Sequence, residues 1–157
     1  MNTTLAALPK APKIDLRKLP ALAKQQIKHV NLPANYVAAR TALMECVRVD
    51  ECKDIADKHY ALAHYAKQIK DDTLRYYAER VRLRALVRIG EILRDIKEPK
   101  ERKALAKQHG MSYTAANEAV NMSYLTKKAR DAYIEKSPPE SKSALVWEGQ
   151  KLRFAGS

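Results

Sequence analysis

The sequence predicts an all-α fold, with a long helical hairpin followed by a helix-turn-helix unit and a C-terminal helix. Only four glycines occur in 157 residues, and Ala, Leu, Lys and Arg are abundant. Runs that alternate apolar and polar residues, as strands do, are almost absent. Apolar residues instead recur three and four positions apart, which is the spacing of one helix face. Prolines and capping residues then predict where the helices begin and end.

Residues 1–30 are predicted to form a basic arm, partly disordered. They carry six basic side chains and one acidic side chain, a net charge of +5. Pro9 and Pro12 stand among scattered aliphatic residues, which favours a mobile segment, and residues 19–30 are compatible with a short helix. The candidates for contacts with DNA phosphates are Lys10, Lys13, Arg17 and Lys18. An unstructured tail without contacts is the open alternative.

Residues 31–98 are predicted to form the hairpin, a region for interaction or dimerisation. Helices are expected over residues 35–47, 51–70 and 73–97, the second capped by Asp50 and the third by Asp71 or Asp72. The third helix has an apolar stripe made of Leu74, Ala78, Val81, Ala85, Ile89, Ile92 and Ile96. Such a stripe needs a partner surface, either within the chain or partly in a homodimer.

Four arginines of this helix allow further predictions. Arg82 lies within the apolar stripe, so its charge requires a partner, and Asp54, Asp57 and Glu45 are the candidates. Arg80, Arg84 and Arg88 share the outer face, where Glu91 and Asp95 follow at ion-pairing spacing. A salt-bridged face is favoured there over a strip that binds phosphates.

Residues 99–157 are predicted to contain the helix-turn-helix, centred on residues 102–121. Two short helices that meet at a steep angle need a small residue at the contact and a residue that accepts positive φ in the turn. Ala106 and Gly110 meet these needs, Met111 fills the seam, and Ser112 can cap the second helix. Its inner face is formed by Ala116 with Ala119 or Val120.

The run from Gly110 to Val120 resembles the helix-turn-helix of the Cro and repressor proteins of lambdoid phages. The resemblance implies that the second helix enters the major groove with Ser112, Tyr113, Thr114, Asn117, Glu118 and Asn121. Asn117 and Asn121 are expected to read adenine, whereas no arginine is available on this face to read guanine. An ordinary helical hairpin is the open alternative.

The end of the chain is predicted to support DNA binding. A helix over residues 123–136 carries Lys127, Lys128 and Arg130, which are expected to contact the DNA backbone. The sequence from Ser137 to Glu140 has the form of a capping box, which predicts a terminal helix from there to about residue 154. Trp147 and Phe154 on that helix are expected to anchor it to the domain or to a second subunit.

The first half of the chain is similar to an uncharacterised family encoded by bacteria and by their phages or mobile elements. The similarity lies in residues 49–58, 65–68, 82–85 and 90–93. It implies a mobile-element or phage context, and it brings no known chemistry with it.

Cysteine, histidine and hydropathy patterns favour a cytoplasmic protein without cofactor or metal. Cys46 and Cys52 are too few for a disulfide framework, and together with His59 and His64 they do not have zinc-finger spacing. His59 lies on an apolar stripe and is expected to be a hydrogen-bonded core residue. The chain contains no apolar stretch long enough for a membrane helix and no catalytic constellation, so an enzyme is not expected.

These patterns lead to two functional hypotheses. The net charge of +12 and the helix-turn-helix favour a sequence-specific protein that binds double-stranded DNA, a homodimeric repressor of a phage or mobile element that is associated with the nucleoid. The alternative is a helical adaptor or host-takeover protein, whose hairpin binds another protein and whose basic surface is incidental.

Overall fold

The computed structural model describes residues 29–155, so Lys10, Lys13, Arg17 and Lys18 of the predicted arm lie outside the described residues. The described residues contain one short 3-10 helix, His29–Asn31, and seven α-helices without any strand. The α-helices are α1 (Leu32–Glu45), α2 (Val49–Gln68), α3 (Asp72–Arg94), α4 (Pro99–Gln108), α5 (Tyr113–Ser123), α6 (Lys127–Ile134) and α7 (Lys142–Ala155). The prediction of an all-α fold is confirmed. None of these helices is both long enough and apolar enough to cross a membrane.

Helix α3 lies at the centre and is covered on two sides. Its predicted stripe, with Val81 and Ile89, shares one buried cluster with α1, α2, α4 and α5. On another side, Leu83 and Val87 pack with residues of α5 to α7, namely Met122, Leu125, Ile134 and Leu145. The stripe is therefore covered within the chain and does not need a second subunit. The predicted boundary at Pro99 separates helices that share one core.

The structure confirms the predicted cap of α3 and corrects the predicted caps of α2 and α7, and the helices predicted over residues 35–47 and 123–136 are observed as α1 and α6 with the bounds given above. Asp71 caps α3, because its side chain accepts a hydrogen bond of 3.1 Å from the Leu74 amide. Asp50 is not a cap: α2 begins at Val49, and Asp50 lies in its first turn, where its carboxylate binds the Arg48 guanidinium at 2.8 Å.

The predicted capping box at Ser137 is also wrong. A cis peptide bond joins Ser137 to Pro138, and the Ser137 hydroxyl accepts a hydrogen bond of 2.9 Å from Arg80. Helix α7 begins later, at Lys142, where the Ser141 hydroxyl accepts a hydrogen bond of 3.1 Å from the Ala144 amide. The segment before α7 is thus held by α3, and a different serine caps the helix.

Two glycines let the backbone of α5 pack directly against α3 and α7. A Cβ atom on Gly90 of α3 would lie 1.8 Å from the carbonyl oxygen of Ala119, and one on Gly149 of α7 would lie 1.9 Å from the carbonyl oxygen of Asn121. Both distances are far below van der Waals contact, and both neighbouring atoms belong to the backbone. Helix α5 therefore lies between α3 and α7, in contact with each.

The outer arginines of α3 hold the other helices in place. The Arg84 guanidinium binds Asp131 at 2.8 Å and Glu135 at 2.7 Å. Arg80 donates to the carbonyl oxygens of Ile134 and Lys136, and Arg88 donates to that of Cys46. The sequence favoured a salt-bridged face over a strip that binds phosphates, and the contacts of all three side chains within the protein agree with this.

Arg82 does not form the predicted ion pair. Among the described residues, no carboxylate lies within 4 Å of its guanidinium, which instead covers the ring of Tyr60 at 4.4 Å from the centroid. Burial lowers the pKa of Arg82, because the charged form loses hydration, and the negative charges of Asp57, Glu79 and Glu118 offset this effect only in part. The guanidinium therefore retains capacity to bind an anion.

His59 is half-buried and hydrogen-bonded within the protein, as expected of a structural histidine. Its Nδ1 atom donates a hydrogen bond of 2.7 Å to the carbonyl oxygen of Ile55, and its ring lies against Tyr77. Burial lowers the pKa of His59 from 6.5 to about 4, so the folded protein holds it neutral at pH 7.

Replacement of Gly149 by alanine tests the close packing of α7 on α5. We expect Gly149→Ala to lower the free energy of unfolding by about 3 kcal/mol, because the new methyl group forces two backbones apart. Urea unfolding followed by circular dichroism measures this change. Ser143→Ala, at an exposed position of the same helix, is the matched control and should change stability by less than about 0.5 kcal/mol. Equal effects of the two substitutions would contradict the packing described here.

Acidification tests the burial of neutral His59. Its folded pKa lies below its unfolded value, so the unfolded chain takes up a proton first and the stabilisation is lost as pH falls from about 6.5 towards 4. Between pH 7 and pH 5 this group should remove about 2 kcal/mol of stability. Urea unfolding at both pH values, compared with His59→Gln, isolates its contribution. An identical pH dependence in the two proteins would show that His59 titrates normally.

Candidate nucleic-acid interface

Helices α4 and α5 form the predicted pair of helices with a tight turn. Gly110 adopts a φ of 77°, and the Met111 amide donates a hydrogen bond of 2.9 Å to the carbonyl oxygen of Ala106. Ser112 caps α5, since its hydroxyl accepts a hydrogen bond of 3.0 Å from the Ala115 amide. The residues predicted to form the seam and the inner face, Ala106, Met111, Ala116, Ala119 and Val120, are all buried. The local geometry expected from residues 102–121 is therefore present.

Helix α7 covers the face of α5 that was expected to read bases. Asn121 is only 3% exposed, and its side-chain oxygen accepts a hydrogen bond of 2.9 Å from Arg153. The same guanidinium nitrogen binds the side-chain oxygen of Asn117 at 2.9 Å. Glu118 forms an ion pair with Lys142 of α7 at 3.0 Å. In this structure Asn121 is buried, and Asn117 and Glu118 have partners within the protein, so the three residues predicted along this face are not free to read bases.

The N-terminal end of α5 is open to solvent. Ser112, Tyr113 and Thr114 are exposed, and 65% of Tyr113 is accessible. The ammonium group of Lys103 lies 5.5 Å from the centre of the Tyr113 ring. Lys100 and Lys107 are also exposed, and their spacing from Lys103 places all three on one face of α4. We call this surface the open end of α5. It consists of the start of α5, Ser112, Tyr113 and Thr114, together with the adjacent lysines of α4, Lys100, Lys103 and Lys107.

A cleft of about 350 Å³ lies beside the turn before α5. Its charged lining residues are Lys53, Arg82 and Lys142 together with Asp57 and Glu118. Two of these cations are paired, Lys53 with Asp57 at 2.7 Å and Lys142 with Glu118 at 3.0 Å. Arg82 is the cation of the cleft without a carboxylate partner among the described residues. The cleft therefore adds positive charge next to Ser112.

The three basic residues of α6 differ in their availability. Lys127 and Lys128 are exposed in the first turn of α6, which Thr126 caps with a hydrogen bond of 3.1 Å to the Ala129 amide. Arg130 is enclosed: it binds Glu91 of α3 at 3.2 Å and the carbonyl oxygen of Leu125 at 3.2 Å. The Arg130 guanidinium thus ties α6 to α3 and is not free for the expected DNA contact in this structure.

Sequence reasoning did not identify the lysines of α4 or the role of Arg153. The spacing of Lys100, Lys103 and Lys107 was visible in the sequence and could have marked a basic helix face. Arg153 could not have been identified in this way, because its bonds to Asn117 and Asn121 depend on how α7 crosses α5.

Within residues 29–155, no three His, Cys, Asp or Glu side chains are grouped closely enough to hold a metal ion. Comparison of the chain with protein-family models, with curated proteins and with solved structures found no match.

Proposed function

We propose that the protein binds double-stranded DNA through the open end of α5 and acts as a transcriptional regulator. The single observation that carries the proposal is the exposed Ser112–Tyr113–Thr114 end of a buried helix, with the lysine face of α4 beside it. Repression in a phage or mobile element is the form of regulation that the resemblances described above favour.

Electrostatics support an anionic partner at this end. The first amides of a helix point outwards, and the helix dipole makes its N-terminus partly positive. The three lysines of α4 add full charges near the same place, and the half-buried Arg82 adds another in the adjoining cleft. A phosphate group at this surface would release counterions, so binding should depend steeply on salt.

Base recognition in this proposal relies on the start of α5. The hydroxyl groups of Ser112 and Thr114 can bond to base edges or to phosphates, and the Tyr113 ring can pack against a thymine methyl group. Since Asn121 is buried, adenine reading by asparagine is not part of the proposal. Most of the affinity would then come from phosphates, with modest discrimination between sequences.

Lys127 and Lys128 provide a second candidate contact with the DNA backbone. They follow the C-terminal end of α5, whereas Ser112 precedes its N-terminal end. Helix α5 has 11 residues, so its two ends are about 16 Å apart along its axis. This length allows the two ends to reach phosphates on either side of a groove about 12 Å wide.

A DNA titration with matched charge variants tests the interface. We expect Lys103→Gln with Lys107→Gln to weaken binding to a random duplex about tenfold at low salt, because two phosphate contacts are lost. The slope of log K against log salt should also fall by about 1.8. As the control, Lys67→Gln with Lys70→Gln, at two exposed lysines at the end of α2, removes the same charge and should bind like the original protein. Fluorescence anisotropy at several salt concentrations measures both quantities.

Two results of this titration would contradict the proposal. One is the absence of binding to duplex DNA at low salt. The other is an equal loss of affinity in the Lys67 and Lys70 control, which would show that total charge matters and that the position of the lysines does not.

A Tyr113→Ala variant adds a test of sequence recognition. It should reduce the preference for a selected site more than it reduces binding to random duplex.

The outer face of α7 favours a second function, assembly with another protein chain. Trp147 and Phe154 are 61% and 54% exposed, and their spacing places them on one face of α7, with Lys151 between them. Because both side chains are exposed, they do not fix α7 to the rest of the described residues. The other role expected from the sequence, contact with a second subunit, remains a prediction. We propose that this aromatic face pairs two copies of the protein, as in a dimeric regulator.

The mass of the protein in solution tests this assembly. Trp147→Ala with Phe154→Ala should convert a dimer into a monomer, because large exposed aromatic residues contribute most to such interfaces. Light scattering after size exclusion measures the change, with Ile69→Ala at an exposed end of α2 as the control. A wild-type monomer at tens of micromolar, or a dimer that survives both aromatic substitutions, would contradict pairing through α7.

A further inference from the structure

The two cysteines of the chain meet at the joint between α1 and α2. Cys46 follows the last residue of α1, and Cys52 lies in the first turns of α2. Their sulfur atoms are 3.0 Å apart, and both side chains are buried. A disulfide bond has a length of about 2.05 Å, so the two sulfurs need to approach by only about 1 Å to bond.

We propose that Cys46 and Cys52 form a redox-active dithiol, which a hydroperoxide converts into an intramolecular disulfide. Cys46 is the attacking sulfur, and Cys52 is the resolving sulfur. The proposal rests on the contact between the two sulfurs and is independent of DNA binding.

The surroundings of the pair distinguish the roles of the two sulfurs. The Cys52 thiol donates a hydrogen bond to the Cys46 sulfur, and the guanidinium of Arg88 lies close by, with its Nε atom donating to the Cys46 carbonyl oxygen at 2.8 Å. These interactions lower the pKa of Cys46 to about 7, with the bond from Cys52 as the largest cause. The same bond and burial raise the pKa of Cys52. Burial and the nearby Glu51 carboxylate act in the opposite direction on Cys46, which also donates a hydrogen bond of 3.3 Å to the carbonyl oxygen of Arg48 when it is protonated. About half of Cys46 is therefore thiolate at pH 7, whereas Cys52 keeps its proton.

The reaction balances in two steps. The Cys46 thiolate attacks one oxygen of the hydroperoxide, the O–O bond breaks, and Cys46 becomes a sulfenic acid while hydroxide or an alkoxide leaves. The sulfur of Cys52 then attacks the sulfenic sulfur, and the S–O bond breaks. The departing hydroxyl group and the Cys52 proton leave as water. The two thiols lose two electrons in total, and the hydroperoxide is reduced.

The Cys46 and Cys52 side chains are buried, at 1% and 0% exposure, so only a small oxidant can reach them. Glu45, Val47 and Arg48, which surround Cys46 in the chain, are exposed, although the Cys46 side chain itself is covered. Hydrogen peroxide is hardly larger than water, so a small opening at the end of α1 is enough to admit it. Bulky disulfide reagents need a wider opening, so hydroperoxides are the class of oxidant that fits this site.

The test compares oxidation of the folded and the unfolded full-length chain. Reduced protein is treated with hydrogen peroxide at pH 7, with and without urea, and is then denatured and alkylated before mass measurement. We expect a monomer that has lost two hydrogens and takes up no alkyl group. It should form about ten times faster in the folded chain, because the hydrogen bond from Cys52 raises the thiolate fraction of Cys46 for the first step and the contact of the two sulfurs speeds the second step. The folded-state rate should rise with pH through about 7, as the Cys46 thiol ionises.

Single variants identify the two roles. Cys52→Ser should leave a sulfenic acid on Cys46 that reacts with dimedone, whereas Cys46→Ser should give no dimedone adduct at pH 7. Three outcomes would overturn the proposal: two alkylatable thiols after treatment of the folded protein, a disulfide that links two chains, or faster disulfide formation in the unfolded chain. The wild-type comparison decides the question even where a serine variant folds poorly.

Discussion

The backbone contact of α5 with α3 and α7 is the constraint on which the remaining structure depends. Gly90 and Gly149 have no side chain, and this absence lets two helices touch the α5 backbone at Ala119 and Asn121. A helix enclosed in this way needs small or apolar residues on both faces, and α5 has them over much of its length. Its N-terminal end is exposed to solvent, whereas Asn117 and Glu118 on its outer face are half-buried against α7. The place where this helix can meet another molecule is thus decided by packing.

The basic side chains divide into two groups with different roles. Arginines such as Arg80, Arg84 and Arg102 bind backbone carbonyl oxygens or carboxylates of other helices. The planar guanidinium suits such bonds because its donors point in fixed directions. Lysines such as Lys103 and Lys127 stay at the surface, where their charges can attract a polyanion. The net charge of +12 therefore overstates the charge that is free to bind.

Local features of the fold were predictable from the sequence, and tertiary coverage was not. The turn at Gly110, the cap at Asp71 and the hydrogen-bonded position of His59 depend on residues within about four positions, and all three are confirmed. The burial of Asn121 and the enclosure of Arg130 depend on α7 and on α3, which are distant in sequence. The spacing of apolar residues within α5 or α6 does not indicate which other helix will pack across it. The capped N-terminal end of α5 was therefore predictable from the sequence, whereas the burial of its outer face was not.

Approximate free energies indicate how easily α7 could separate from α5 and expose Asn121 to a base. Separation would expose Leu145, which is fully buried, at a cost of about 2 kcal/mol for one such side chain. It would also break the bonds from Arg153 to Asn117 and Asn121, at about 1.5 kcal/mol or more for each bond to a charged group. A good asparagine–adenine pair returns only about 1–3 kcal/mol. One such pair does not offset this cost, so the packing of α7 on Asn121 favours the open end of α5 as the place of the proposed base reading.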